Sequence, residues 1–194
     1  MQNSVQEAKR SLRERVRAAL RVLPAEERST ASAQARNLLK AQVRWQSAQS
    51  VLFFAPLSDE LDVWPLLSEA LVAGKRVALP RFVAVARRYE AALVIEPATD
   101  LHRGQFGILE PHGRCARFPS DEMELILVPG VAFDLRGGRL GRGSGYYDQL
   151  LGELRGIRCG VAFDQQVVHE LPLASHDIRM DFLVTPTRWR DLQA

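Results

Sequence analysis

The sequence predicts a single α/β domain built in three layers, a mostly parallel sheet with helices on both faces. Three observations carry this reading. Short, continuous apolar runs alternate with segments of helical periodicity, the pattern of strands buried on both sides. Between residues 50 and 80 a run, a helix and a second run have the length of a parallel crossover. The 194 residues, 46% of them hydrophobic, suffice for one sizeable core, and no linker, repeat or low-complexity stretch divides residues 1–194 into more than one domain.

The elements follow in order. Residues 5–23 place Leu12, Val16, Ala19, Leu20 and Leu23 at helical spacing with arginines on the other faces, and Pro24 ends the run. A second helix is expected over residues 26–45. Ser50-Val51-Leu52-Phe53-Phe54-Ala55 reads as a strand, residues 63–73 as a helix closed by Gly74, and Lys75-Arg76-Val77-Ala78-Leu79-Pro80 as the next strand. Residues 90–95 form another strand. Residues 99–119, with Gly104, Gly107, Pro111, Gly113 and Pro119, read as a long irregular loop of the kind that commonly carries function. A strand over 124–128, a helix over 145–154, a strand over 157–163 and a last strand at Phe182-Leu183-Val184 complete the alternation.

Composition narrows the function. With 26 Lys and Arg against 23 Asp and Glu the formal charge is +3, which suits an anionic ligand; the absence of like-charge blocks and the few aromatics (7%) argue against nucleic acid. Cys115 and Cys159 have no neighbour at ligand spacing, so neither a zinc ribbon nor a redox motif is expected. No segment approaches the roughly 20 apolar residues of a membrane span, and the arginine-rich start has no apolar run behind it. A cytoplasmic protein is expected.

Residues 127–148 are the most informative part of the chain. A buried strand ends in a loop in which glycines alternate with Arg139 and Arg142 and which stops at Asp148. Glycines let backbone N–H groups converge on phosphate oxygens, the arginines supply charge, and an aspartate at the rim can hold a divalent cation. Ligands of open α/β sheets bind at the strand C-termini, where this loop lies. It is no Walker A loop, since Ser144 stands where the lysine is needed, and no dinucleotide fingerprint, since the third glycine comes one residue early. Asp164, at the end of the following strand, is nevertheless where a ribose-binding acid would sit.

The string Val128-Pro129-Gly130-Val131-Ala132-Phe133-Asp134 followed by Gly138-Arg139-Leu140-Gly141-Arg142-Gly143-Ser144-Gly145-Tyr146-Tyr147-Asp148 resembles the signature of the 5-formyltetrahydrofolate cyclo-ligases, also called methenyltetrahydrofolate synthetases. The resemblance extends in order through Lys9 and Arg13, Asp59-Glu60-Leu61-Asp62, Gly74-Lys75-Arg76, Leu79-Pro80-Arg81, Phe106-Gly107-Ile108-Leu109-Glu110-Pro111, Leu171-Pro172, His176-Asp177 and Asp181. It implies an ATP- and magnesium-dependent enzyme that converts 5-formyltetrahydrofolate to 5,10-methenyltetrahydrofolate. In the implied chemistry the formyl oxygen attacks the γ-phosphorus and N10 then closes the ring and expels phosphate, which asks for positioning and charge neutralisation more than for an acid or base.

The resemblance also implies roles. Lys9 and Arg13, with Arg10, Ser11 and Leu12 on the same turn, hold ATP phosphates; Arg139, Leu140, Gly141, Arg142, Gly143, Ser144, Gly145, Tyr146 and Tyr147 wrap the nucleotide. The section from Arg142 to Tyr146 also borders the folate, together with Glu60, which would accept hydrogen bonds from the pterin, and Ala55. Ser144 departs from the glycine or basic residue often found there. Arg142 and Tyr147 are the expected catalytic pair, Tyr147 offering its ring to the folate, and Asp148 with the distant Asp181 would hold magnesium. Asp62 is read as a helix cap, Phe54, Phe106 and Trp64 as core, Arg81 as a possible anion contact, and His102, His112, His169 and His176 as structural or surface residues. A small-molecule folate substrate, no nucleic acid, no membrane and a monomer are expected. The alternative is a nucleotide- or phosphosugar-binding regulatory protein on the same fold without catalysis.

Overall fold

The apolar runs are strands that alternate between two faces. In the computed structural model, which describes residues 2–104, 106–172 and 177–193, Val51, Val77, Leu79, Leu125, Leu127 and Val184 face one core, while Leu52, Ala78, Ile126, Val128 and Leu183 face another. Continuous hydrophobicity thus reflects cover on both sides. In chain order the elements are α1 (Gln2–Arg21), α2 (Ala25–Lys40), α3 (Val43–Ser47), β1 (Ser50–Leu52), α4 (Trp64–Val72), β2 (Arg76–Val83), β3 (Arg88–Val94), α5 (Pro97–Asp100), β4 (Leu101–Arg103) and β5 (Leu109–Pro111). They continue with β6 (Leu125–Val128), β7 (Ala132–Asp134), β8 (Arg139–Leu140), α6 (Tyr146–Glu153), β9 (Ile157–Val161), a 3-10 turn (Asp164–Gln166), β10 (Val167–Val168), β11 (Phe182–Val184) and β12 (Trp189–Asp191).

Among the described residues the main sheet runs β12-β11-β9-β6-β1-β2-β3. The inner strands are parallel, with β1 between β2 and β6, β6 beside β9 and β9 beside β11. Both edges are antiparallel, β3 on β2 and β12 on β11. Leu12, Val16 and Leu20 of α1 join α2, α3 and α4 over one face, and Leu150 and Leu151 of α6 pack on the other. The three layers expected from the sequence are present, with the helices divided unequally between the faces.

Two elements differ from expectation. The helix read over residues 26–45 is two helices, broken after Lys40, because Ala41 and Gln42 turn their N–H groups back to Asn37 and Leu39 and a new helix starts at Val43. The ammonium of Lys75 closes this second helix on the carbonyls of Trp45 and Ala48, at 3.0 and 2.5 Å. The loop read over residues 99–119 begins inside α5 and contains the β4–β5 hairpin. A small sheet of β10, β7 and β8 has no counterpart in the sequence reading. It is organised by the buried Asp134, which accepts the N–H groups of Arg136, Gly138 and Leu171 at 2.7 to 2.9 Å.

Candidate active site

The chain leaves β1, β2 and β6 at one edge of the sheet, and the segments that follow enclose a cavity of about 350 Å³. Phe54, Ala55 and Glu60 come from the β1–α4 connection, Pro80 and Tyr89 from the β2–β3 hairpin, Ile108 and Glu110 from the segment entering β5, and Pro129 and Gly130 from the turn after β6. Residues 141–148 close the remaining side. The lining is mostly apolar, with Tyr146 and Phe106 both edge-on to Phe82 at 5.3 and 5.1 Å, a shape suited to a flat heteroaromatic ligand with few polar anchors. Phe106, read as core, is 49% exposed and stands at the rim, whereas Phe54 is both core and wall.

The glycine loop has two sides. Gly143 and Gly145 have φ of 111° and 75°, so the chain can double back between β8 and α6 at positions where a side chain would be strained. Its inner side faces the cavity. On its outer side Arg13 of α1 donates from Nε to the Gly141 carbonyl at 2.8 Å, and the guanidinium lies close to Gly143. Lys9, one turn earlier, is buried and pairs with Asp177 at 2.7 Å. Burial, then the neighbouring Arg17, lowers the pKa of Arg13, so this flank carries crowded cationic charge.

Arg139 sits under the loop with its side chain 3% exposed. It donates to the Pro129 carbonyl at 3.0 Å and to Asp148 at 2.5 Å, and its guanidinium lies 5.5 Å from the centre of the Tyr147 ring. Its Nε and the phenolic oxygen of Tyr147 are buried without a hydrogen-bond partner among the described residues. Burial also pushes the Tyr147 hydroxyl well above the usual phenol range, so it stays protonated with its O–H free to donate. Unpaired buried donors are costly and point to an acceptor that arrives with a ligand.

Across the cavity Glu60 is 8% exposed. Its Oε2 accepts the Leu57 N–H at 3.0 Å, and its Oε1 accepts from Arg142 Nη2 and Nε at 3.0 and 3.3 Å. Burial raises its pKa against the opposing pull of the Leu57 N–H and Arg142. Arg142 also reaches Asp59 at 2.5 Å. Asp62, read as the cap, stands one residue before the N-cap Val63 and accepts the Trp64 N–H at 2.9 Å, and Trp64 packs half-buried against the core.

Other expected site residues are elsewhere. Asp181 is not brought to Asp148: its carboxylate accepts the Arg158 N–H at 2.7 Å, Arg158 in turn reaches the carbonyls of Leu151 and Leu154 at the end of α6, and Asp148 lies at the start of that helix. The two-aspartate cation site is therefore not assembled, and among the described residues no cluster of three His, Cys, Asp or Glu could hold a metal. The side chains of Leu12 and Leu140 are buried in the core, Ser11 is exposed, and Arg10 faces solvent beside Glu7. Arg81 is spent on Glu90 and on the carbonyls of His112 and Cys115. Asp164 is held by Thr185 and Thr187 at 2.6 and 2.7 Å. His102 stacks on His112 across the β4–β5 hairpin, and His176 lies outside the described residues. Sequence reasoning misses Tyr89, Pro80, Ile108 and Glu110 as cavity wall, because their apolar or strand-like setting carries no local chemical signal.

Residues 5–186 match the model of the 5-formyltetrahydrofolate cyclo-ligase family. The 5-formyltetrahydrofolate cyclo-ligase of Mus musculus is 28% identical over 92% of this chain and 93% of its own length. The Escherichia coli K12 enzyme of the same name is 33% identical over 73% of this chain and 80% of its own. The solution structure of 5,10-methenyltetrahydrofolate synthetase from Aquifex aeolicus superposes with a TM-score of 0.87 at 36% identity, covering 96% of this chain and 93% of that one. The chain belongs to the 5-formyltetrahydrofolate cyclo-ligase family.

Proposed function

We propose that this protein is a 5-formyltetrahydrofolate cyclo-ligase that forms 5,10-methenyltetrahydrofolate at the expense of ATP, with magnesium as the accompanying cation. The observation that carries the reading is the two-sided glycine loop, which separates an aromatic cavity lined by the buried carboxylate of Glu60 from the cationic flank of α1. The pterin occupies the aromatic cavity with its amino and ring N–H groups on Glu60. The ATP phosphates lie along the loop within reach of Arg13, Arg139 and Arg142. Only at the loop can the formyl oxygen meet the terminal phosphate, which is the alignment an in-line transfer needs.

The residues present fit polyphosphate and fit magnesium through one carboxylate. Asp148 engages Arg139 through Oδ1 and its side chain is 43% exposed, so Oδ2 is left to a cation whose other ligands are phosphate oxygens and water. Bound there, magnesium would neutralise charge on the transferred phosphoryl group. The protonated Tyr147 and the buried Arg139 donate toward the same region, and the apolar walls exclude water from the activated formyl group. The proposal extends to a monomeric enzyme of the cytoplasm; no helix among the described residues is long and apolar enough to cross a membrane.

The test mixes the purified chain with ATP, magnesium and 5-formyltetrahydrofolate and follows the absorbance of the methenyl product. Product formation that requires all three components is expected. A folded sample that binds ATP without turnover supports the non-catalytic regulator instead.

A further inference from the structure

We propose that Asp59 is a positioning residue that, with Glu60, keeps Arg142 away from the nucleotide until folate binds, so that folate and nucleotide bind cooperatively. The inference rests on the folate and ATP reading of this cavity and goes beyond it by assigning Asp59 and a coupling between the two ligands.

Arg142 is the point where the two proposed ligand sites share a side chain. It belongs to the glycine loop, yet its guanidinium is turned to the β1–α4 connection, where Nη2 meets Asp59 Oδ1 at 2.5 Å and Glu60 Oε1 at 3.0 Å, and Nε meets the same Glu60 oxygen at 3.3 Å. Two anions therefore hold the cation that the phosphates would otherwise attract. The loop that carries it turns at Gly143 and Gly145, two glycines of positive φ, which lets the chain double back beside the guanidinium.

Counting lone pairs on Glu60 gives the coupling its direction. Arg142 supplies both donors to Oε1 and Leu57 one to Oε2, and each carboxylate oxygen has two lone pairs. A pterin edge that engages both oxygens must take the place of an Arg142 bond. Before that exchange Arg142 compensates a buried carboxylate; afterwards the pterin N–H groups take over part of that task, and Arg142 keeps at most one bond to Glu60 besides its pair with Asp59. That pair is open to solvent, with side chains 36% and 27% exposed, and such pairs hold weakly. The freed guanidinium can then turn to the phosphates. By linkage, whatever factor folate adds to nucleotide affinity, nucleotide adds to folate affinity.

The experiment measures binding of the β,γ-imido analogue of ATP, with magnesium, by calorimetry in the absence and presence of saturating 5-formyltetrahydrofolate, for the wild-type chain, Asp59→Asn and Asp59→Ser. Melting curves establish that each variant is folded. In the wild type folate is expected to tighten the analogue by about fivefold or more. In both variants the analogue alone binds tighter, by about two- to fivefold, the range of an exposed ion pair, and the folate effect shrinks by that same factor. A merely structural role for Asp59 would not move this coupling factor. A wild-type coupling of one, or variants with unchanged affinity and coupling, or variants that bind the analogue more weakly, would overturn the proposal while leaving the cyclo-ligase reading intact. Failure of the folded wild type to bind either ligand would instead remove that reading, and this proposal with it.

Discussion

Replacing Arg139 with methionine separates the chemistry of the site from its stability. Methionine keeps an apolar stem in the buried position but deletes the guanidinium. The Pro129 carbonyl loses its donor at 3.0 Å, a loss of about 1 kcal/mol for an ordinary hydrogen bond. The pair with Asp148 is half open to solvent, since Asp148 is 43% exposed, and contributes at most about 1 kcal/mol. Against these stands relief, since a buried charge with an unpaired Nε no longer has to be desolvated. The net cost is at most about 2 kcal/mol, which for a chain of this length lowers Tm by no more than about 8 °C. Loss of a preorganised donor to developing charge costs far more in rate, about 100- to 1,000-fold in kcat/KM for ATP. Steady-state rates at limiting ATP and a thermal melt on the same sample give both numbers. Activity within about fivefold of wild type in a folded variant would refute the placement of the phosphates, because a lost donor of this kind is worth more than that.

Further expectations concern neighbouring residues. Burial raises the Glu60 pKa, so its contribution to stability is greatest below the ordinary carboxyl range and falls as pH rises through the raised value; Glu60→Gln should lose that decline. Tm against pH for both proteins checks it, and equal slopes would contradict it. In Gly130→Ala the new Cβ would lie 2.7 Å from Cζ of the fully buried Phe133 and 3.2 Å from Cγ of Arg139, costing about 1–3 kcal/mol or about 2–12 °C in Tm. Asp148→Asn should raise the magnesium concentration for half-maximal rate by about tenfold or more. Asp181→Asn should leave that concentration unchanged, since its carboxylate serves Arg158 and Gln193 at the far end of α6.

How much of this was legible in the sequence follows from what each feature depends on. Strands buried on both faces declare themselves by unbroken apolar runs, so the inner sheet was readable, as were the crossover through α4 and the glycine loop. The break between α2 and α3 was not, because no Gly or Pro marks it: Ala41 and Gln42 simply turn their N–H groups back onto Asn37 and Leu39, and Lys75, which approaches from across the fold, ends α3. The β7–β8–β10 sheet was hidden because its strands are only two or three residues long and its organiser, Asp134, looks like any turn acid. At the site, local motifs brought Glu60, Arg142 and Tyr147 into view. The position of Asp181 depends on where a strand lies in the sheet, and the aromatic wall of Tyr89 and Phe106 depends on how two hairpins fold over the same opening; neither is a local property.

The cavity wall is assembled from five stretches scattered between Phe54 and Asp148, each anchored in a different strand or hairpin. No single one of these stretches forms the cavity, so its shape depends on the sheet that brings them together. A ligand that bridges those stretches acts as a non-covalent cross-link between distant parts of the sequence, and its presence opposes global unfolding rather than the opening of any single loop.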